Sequence, residues 1–201
     1  MNPGLLVVIS GPAGVGKGTI VRKMLEKDPR FVLSVSATSR SPRPNESEGK
    51  SYYYKTREQF EEMIKNNELI EWVEYCGNYY GTPRDFVCDE IKKGNVVILE
   101  IEVDGALNVK RLFPDCVLCF VIPPDFEELE KRLRGRGTDT EEAITRRLAR
   151  AKEEFKYLEE YDYLILNDCI DNATERFFSI IQAEQMRTKR NQSLINRFKN
   201  I

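Results

Sequence analysis

The residues Gly11-Pro12-Ala13-Gly14-Val15-Gly16-Lys17 follow the pattern G-x-x-x-x-G-K. An apolar, strand-like run at Leu5–Ser10 precedes them, and a helical pattern begins at Lys17 and ends before Asp28-Pro29. In such a strand–loop–helix context the glycines let backbone N–H groups converge on phosphate oxygens. The start of the helix adds its positive end. Lys17 is then placed to reach the β- and γ-phosphates of a nucleotide. Gly11, Pro12, Ala13, Gly14, Val15, Gly16, Lys17, Gly18 and Thr19 are therefore candidate ATP-binding residues. The position after Lys17 is Gly18, where the pattern calls for a serine or threonine to touch Mg²⁺. Thr19 comes one place late and is assigned to the α- or β-phosphate. This loop alone does not separate a kinase from an ATPase or a GTPase, but no N-K-x-D guanine-reading motif stands at Asn167-Asp168.

The chain has no histidine. That excludes Ser-His-Asp and Cys-His chemistry and histidine-rich metal sites. Catalysis must run on lysine, arginine, carboxylates, hydroxyls and backbone. Arginines gather at 132–150, with Arg132, Arg134, Arg136, Arg146, Arg147 and Arg150 around Gly135 and Gly137. Two charged helices joined by a glycine hinge suit a lid over phosphates. A solvated helical face is the alternative.

These groups must be positioned by regular elements. Apolar, β-branched or aromatic runs at Leu5–Ser10, 31–36, 96–101, Val117–Ile122 and Tyr163–Leu166 predict five strands. Helical patterns at Lys17–Lys27, 84–93, 104–112, 125–134, 141–160 and 173–198 alternate with them. Such alternation predicts a mostly parallel sheet covered on both faces. The stretch 37–81 breaks the rhythm. It predicts one short helix opened by a capping box of Thr56 and Gln59. Strands are expected at 52–54 and 68–75, the latter turning at Gly77-Asn78 into Tyr79-Tyr80. It reads as a small α+β lobe inserted between strands of the main sheet.

Motifs within that lobe resemble the monophosphate-binding lobe of guanylate kinases. They are Ser34-Val35-Ser36-Ala37-Thr38-Ser39-Arg40-Ser41-Pro42-Arg43-Pro44, Glu48-Gly49-Lys50-Ser51-Tyr52, Ile70-Glu71-Trp72 and Gly77-Asn78-Tyr79-Tyr80-Gly81-Thr82. The likeness extends to the phosphate loop, Ile98-Leu99-Glu100-Ile101, the stretch 132–136 and Leu166-Asn167-Asp168, so it covers nearly the whole chain. It implies an α/β fold of the P-loop NTPase type. A mostly parallel sheet flanked by helices would form the core (1–36, 84–126 and 150–201). A GMP-binding lobe (37–83) and a helical lid (127–149) would complete it. The implied reaction is Mg²⁺-dependent transfer of a phosphoryl group from ATP to GMP or dGMP.

The chemistry of the lobe agrees. Arg40 and Arg43 suit a bidentate clamp on a phosphate, with Tyr52 and Tyr80 donating hydroxyls to the same group. Glu71 is placed to accept from N1–H and the exocyclic amine of guanine, with Ser36 and Thr82 donating to O6. Adenine would leave that carboxylate unpaired, which can reject a wrong base by roughly 10⁴. Glu100 and Glu102 flank Ile101 and by period two share a face. The resemblance gives them to the GMP site and gives Glu100 a water-mediated contact with Mg²⁺; no direct metal ligand is assigned. Family members often carry Asp and Gln where this chain has Glu102 and Asp104, and Asp104 is read as a cap of the next helix. The resemblance also places Arg132, Arg136 and Arg147 on ATP phosphates and the transferred group, and Asn167 near the adenine. Arg134, Arg146 and Arg150 are assigned to surface charge.

At 201 residues with 41% hydrophobic content, the chain can bury a core without disulfides or structural metals. The net charge of −2 gives no basic field for nucleic acid. No apolar run approaches the ~20 residues of a membrane span, and Met1-Asn2-Pro3-Gly4 does not read as a signal peptide. A cytoplasmic protein, monomeric or homo-oligomeric, with small-molecule partners and no membrane or nucleic-acid partner is expected. Of the five cysteines, Cys116 and Cys119 form a C-x-x-C within a strand-like run. Residues at i and i+3 of a strand point to opposite faces, so buried thiols are expected. Two other readings stay open: a guanylate-kinase-like interaction module without catalysis, and a kinase for another phosphorylated small molecule. The intact Lys17 and glycines disfavour the first, as does a chain with no room for an adjoining domain. Glu71, Ser36 and Thr82 disfavour the second.

Overall fold

The computed structural model describes residues 4–43, 46–75, 77–135, 137 and 140–199. The strands are β1 (Leu5–Ser10), β2 (Phe31–Leu33), β3 (Ala37–Thr38), β4 (Tyr53–Tyr54), β5 (Leu69–Tyr75), β6 (Asn78–Pro83), β7 (Val96–Glu100), β8 (Val117–Ile122) and β9 (Tyr163–Leu166). The helices are α1 (Lys17–Lys27), α2 (Arg57–Lys65), α3 (Arg84–Lys92), α4 (Val103–Leu112), α5 (Phe126–Arg134), α6 (Glu141–Glu154), α7 (Ile170–Met186) and α8 (Gln192–Lys199).

Five strands form a wholly parallel sheet in the order β2-β7-β1-β8-β9. Its strands read as unbroken apolar runs because both faces are covered. In β1, Leu5, Val7 and Ile9 join Val21, Met24, Phe177 and Ile181 on one side. Leu6 and Val8 join Leu99, Val109 and Leu118 on the other. The same alternation sends Cys119 to the first cluster and Cys116 to the second. Both are free, and burial lifts the Cys116 thiol to about 11.

A second sheet, in the order β4-β3-β6-β5, pairs β3 with β4 in parallel and β6 with β3 and β5 antiparallel. Its small core is Ala37, Phe60, Leu69 and Tyr79. The capping box that opens α2 is complete: Thr56 accepts from Gln59, and the Gln59 side chain accepts from the Thr56 N–H.

The structure departs from the sequence reading in four places. The strand expected at 31–36 pairs only over Phe31–Leu33, and the chain then leaves the main sheet and enters the second one at β3. The strand expected at 96–101 ends at Glu100, because Glu102 is the N-cap of α4 and the backbone has already turned. Period-two alternation therefore does not relate Glu100 to Glu102, and Asp104 lies in the first turn of α4 rather than capping it. The single helix expected at 141–160 stops at Glu154 and tightens into a 3-10 turn, Phe155–Glu160. The helix expected at 173–198 begins earlier, at Ile170, and breaks at Arg187, which has extended backbone (φ −58, ψ 132). The polar run 187–191 offers no apolar face to keep it packed, and α8 restarts beyond it. Among the described residues no helix is long and apolar enough to cross a membrane.

Candidate active site

The loop after β1 is shaped by glycines that no other residue would replace cheaply. Gly14 (φ +88) and Gly16 (φ +101) lie in the left-handed region. A Cβ on Gly16 would stand 2.5 Å from Asn167 Nδ2, and one on Gly14 would stand 2.8 Å from Leu133 Cδ2. Gly16 is also the N-cap of α1, with no side chain to occlude the helix start. Pro12 and Val15 are buried while Ala13 is exposed, and Val15 packs into the main core with Leu129 and Leu133 of α5. Thr19 is half-buried in the first turn of α1, its N–H bonded to Gly16 O at 3.1 Å. Lys17 curls over the loop, donating to Gly11 O at 2.5 Å and Pro12 O at 3.3 Å. The loop thus concentrates backbone donors and one ammonium in a rigid concave turn.

Asn167 follows β9 and is 2% exposed. Its amide donates to Val15 O at 2.6 Å, so it braces the loop from behind. Its Oδ1 has no hydrogen-bond partner among the described residues. Arg132 donates to Asn167 O at 3.1 Å and to Glu128 at 2.9 Å, which fixes its guanidinium beside the loop. Arg147 is half-buried on α6, one turn before Arg150. Arg136 lies outside the described residues.

Glu100 closes β7 opposite the start of α1. A Cβ on Gly18 would come within 3.5 Å of its Oε2. That is ordinary contact distance, so the carboxylate lies beside the place where a P-loop hydroxyl would project, and nothing in the backbone at Gly18 requires a glycine. The Glu100 side chain reaches the cleft, yet enclosure by the surrounding strand ends raises its carboxyl. Lys17 offsets this and Glu102 adds to it.

In the second sheet, Glu71 is 6% exposed. Leu69 pairs with Pro83 and Trp72 with Gly81, three steps on β5 against two on β6. This β-bulge gives β5 one extra residue, so Leu69, Ile70 and Glu71 are all buried instead of alternating. Thr82, fully buried, donates from its hydroxyl to Glu71 Oε1 at 2.7 Å. The structure thus commits this hydroxyl to the carboxylate, where the sequence reading had it donating to a base. The other oxygen faces α4, where a Cβ on Gly105 would lie 3.1 Å from Glu71 Oε2. Burial pushes the Glu71 carboxyl up to about 7, against the lowering effect of Thr82.

Arg40 lies 5.4 Å from the Tyr52 ring centroid, and Tyr52 and Tyr80 meet edge to face at 6.0 Å. Glu46, which the sequence did not single out, pairs with Arg40 at 3.0 Å and accepts from the Tyr54 hydroxyl and the Arg43 N–H. The Arg43 side chain is exposed, and Ser36 is half-buried with its carbonyl bonded to Tyr53 N–H. Arg40, Tyr52 and Tyr80 are thus brought together. Glu46, Thr82's bond to Glu71, Gly105 and Glu154 on α6 were missed, because each is defined by a partner distant in sequence.

A sequence model described as guanylate kinase matches residues 4–184. A curated guanylate kinase of Desulfitobacterium hafniense is 51% identical over 189 residues, covering 94% of each chain. That of Lactococcus lactis is 53% identical over 187 residues, covering 93% of this chain and 91% of the relative. The crystal structure of guanylate kinase from Anaplasma phagocytophilum superposes with a TM-score of 0.77 at 36% identity, over 94% of this chain and 90% of that one.

Proposed function

The chain belongs to the guanylate kinase family, and from that premise we propose how its residues transfer the γ-phosphoryl group of ATP to GMP, giving ADP and GDP, with dGMP as a second acceptor. The observation that carries the reading is the pairing of a glycine-shaped phosphate loop with a buried carboxylate, Glu71, in the adjoining sheet. The core comprises 1–36, 84–126 and 150–201, with the GMP lobe at 37–83 and the lid at 127–149.

ATP phosphates lie in the loop Gly11 to Thr19, held by its backbone N–H groups other than at Pro12, which has none, with Lys17 leaving the Gly11 and Pro12 carbonyls for the β- and γ-oxygens. Arg132, already fixed beside the loop, and Arg147 add positive charge on the same side, and Arg136 is assigned to the transferred group. The unpartnered Asn167 Oδ1 is an acceptor suited to the adenine amino group. On the acceptor side Arg40, Arg43, Tyr52 and Tyr80 hold the GMP phosphate, so Glu46 must yield Arg40 to it. Glu71 accepts from guanine N1–H and N2–H₂. Thr82 holds that carboxylate in place, and Ser36 donates to O6. Glu102 lies on the ribose side.

The attacking atom is an oxygen of the GMP phosphate. Its second pKa is near 6, so it is an anion at pH 7 and needs no general base. Catalysis is then alignment plus charge neutralisation, which a chain without histidine can supply. A hard carboxylate open to the cleft beside Lys17 fits Mg²⁺, and Glu100 would hold it through water. When bound, the ion neutralises charge on the phosphate oxygens. We place the enzyme in the cytoplasm, in purine nucleotide metabolism.

GDP formation from ATP and GMP tests the reading. Wild type should turn over, and Lys17→Ala should lose on the order of 10³-fold in kcat while staying folded. Folded wild-type protein that forms no GDP would overturn it and favour an interaction module.

A further inference from the structure

Helix α6 ends in a buried acid that the phosphate chemistry does not use. Glu154 is 5% exposed. One of its carboxylate oxygens accepts from Arg150 Nε at 3.0 Å, one helical turn earlier. Its Oε2 has no hydrogen-bond partner among the described residues. Burial and the nearby Glu102 raise this carboxyl, while Arg150 and Lys17 oppose them. A buried half-satisfied carboxylate is a costly way to end a helix.

What it achieves is to aim Arg150. A guanidinium can bond through Nε at its rear and present Nη atoms ahead. Arg150 Nη2 lies 3.9 Å from Glu102 Oε2 and 4.0 Å from Asp104 Oδ2. Those acids are the N-cap and first turn of α4. The next residue, Gly105, is the one packed against Glu71. In the other direction, Arg147 stands at i−3 on the same face of α6 as Arg150. Arg150 thus stands between a residue assigned to ATP, one turn back on α6, and the first turn of α4 that packs against the residue assigned to guanine. Its rear contact is tight. Its forward contacts exceed hydrogen-bond length and can shorten.

We propose that Arg150, held by Glu154, is a positioning residue that couples ATP binding to GMP binding through the first turn of α4. The proposal rests on the donor and acceptor assignments given above.

The test is the affinity of the full-length protein for GMP, by calorimetry, with and without a non-hydrolysable ATP analogue. In wild type the analogue should tighten GMP binding by a factor of roughly 5 to 100. Arg150→Ala should bring that factor close to 1 while each ligand alone binds within about twofold of wild type. Glu154→Gln should reduce the factor, and Arg150→Lys, which keeps the charge without the fork, should fall between. If Arg150→Ala does not fold, Arg150→Lys and Arg150→Gln decide by the same comparison. A factor unchanged in the Arg150 variants, a parallel loss of both separate affinities with the factor retained, or a wild type without coupling would each overturn the proposal. GDP formation by wild type, measured separately, shows whether the kinase reading stands in any of these cases.

Discussion

Thr82 donates a buried 2.7 Å hydrogen bond to Glu71 across a bulge between two antiparallel strands. The carboxylate is fixed before any base arrives, so little reorganisation is needed on binding. Thr82→Val keeps the shape and removes the donor. A hydrogen bond to a charged group contributes about 1.5–3 kcal/mol, so kcat/KM for GMP should fall roughly 10- to 100-fold with KM for ATP unchanged. An unchanged GMP KM would show that Thr82 does not hold the reader.

Glu71 also makes the empty protein pH-sensitive. Its folded pKa is raised from the ordinary 4.5 to about 7 by burial. The stability this contributes is full below pH 4.5 and is lost as pH rises through about 7. Glu71→Gln removes that loss. Its stability relative to wild type, from urea unfolding without ligand, should grow between pH 5 and pH 8 by on the order of 2–3 kcal/mol. GMP binding needs the ionised form, so wild-type GMP affinity should rise over the same interval. The phosphate of GMP titrates in both proteins, and the comparison with Glu71→Gln isolates the carboxyl. A pH-independent stability difference would contradict the burial argument.

How far the chain could be read as sequence follows from this pair. Glycines, the lysine and apolar runs announce themselves locally, so the phosphate loop and the five parallel strands were legible from 5–27 and the later strand patterns. Glu71 was legible as a residue beside Trp72. The bulge that buries it, its bond to Thr82 and its contact with Gly105 were not, because period-two alternation has no term for an extra residue. Glu102 illustrates the same limit: alternation placed it on a strand, and the chain had already turned into a helix cap. Glu46 and Glu154 look like ordinary surface acids until the fold brings Arg40 and Arg150 to them.

The loop makes its own prediction. Gly16→Ala forces a left-handed residue with a Cβ 2.5 Å from Asn167 Nδ2. Conformational strain alone is about 1–2 kcal/mol, and displacement of Asn167 from Val15 O adds to it. Thermal unfolding should show a loss of roughly 2 kcal/mol or more, and affinity for an ATP analogue should drop at least tenfold while GMP affinity holds. Unaltered analogue binding would mean that the loop's shape does not matter.

Glu100 Oε2 stands 3.5 Å from where a Cβ on Gly18 would lie, beside the start of α1. If it carries Mg²⁺ through water, Glu100→Ala should raise the Mg²⁺ concentration for half-maximal turnover about tenfold, in line with loss of one outer-shell partner. Turnover at saturating Mg²⁺ should largely recover. A Mg²⁺ dependence identical to wild type would remove Glu100 from the metal site.

The most direct test of the account is turnover with ATP and each of GMP, AMP, CMP and UMP, by wild type and by Glu71→Ala. In wild type, kcat/KM for GMP should be at least ~10³-fold above the other three, and the variant should lose about 100-fold or more on GMP. Comparable turnover of AMP by wild type, or GMP turnover untouched by the loss of Glu71, would contradict it.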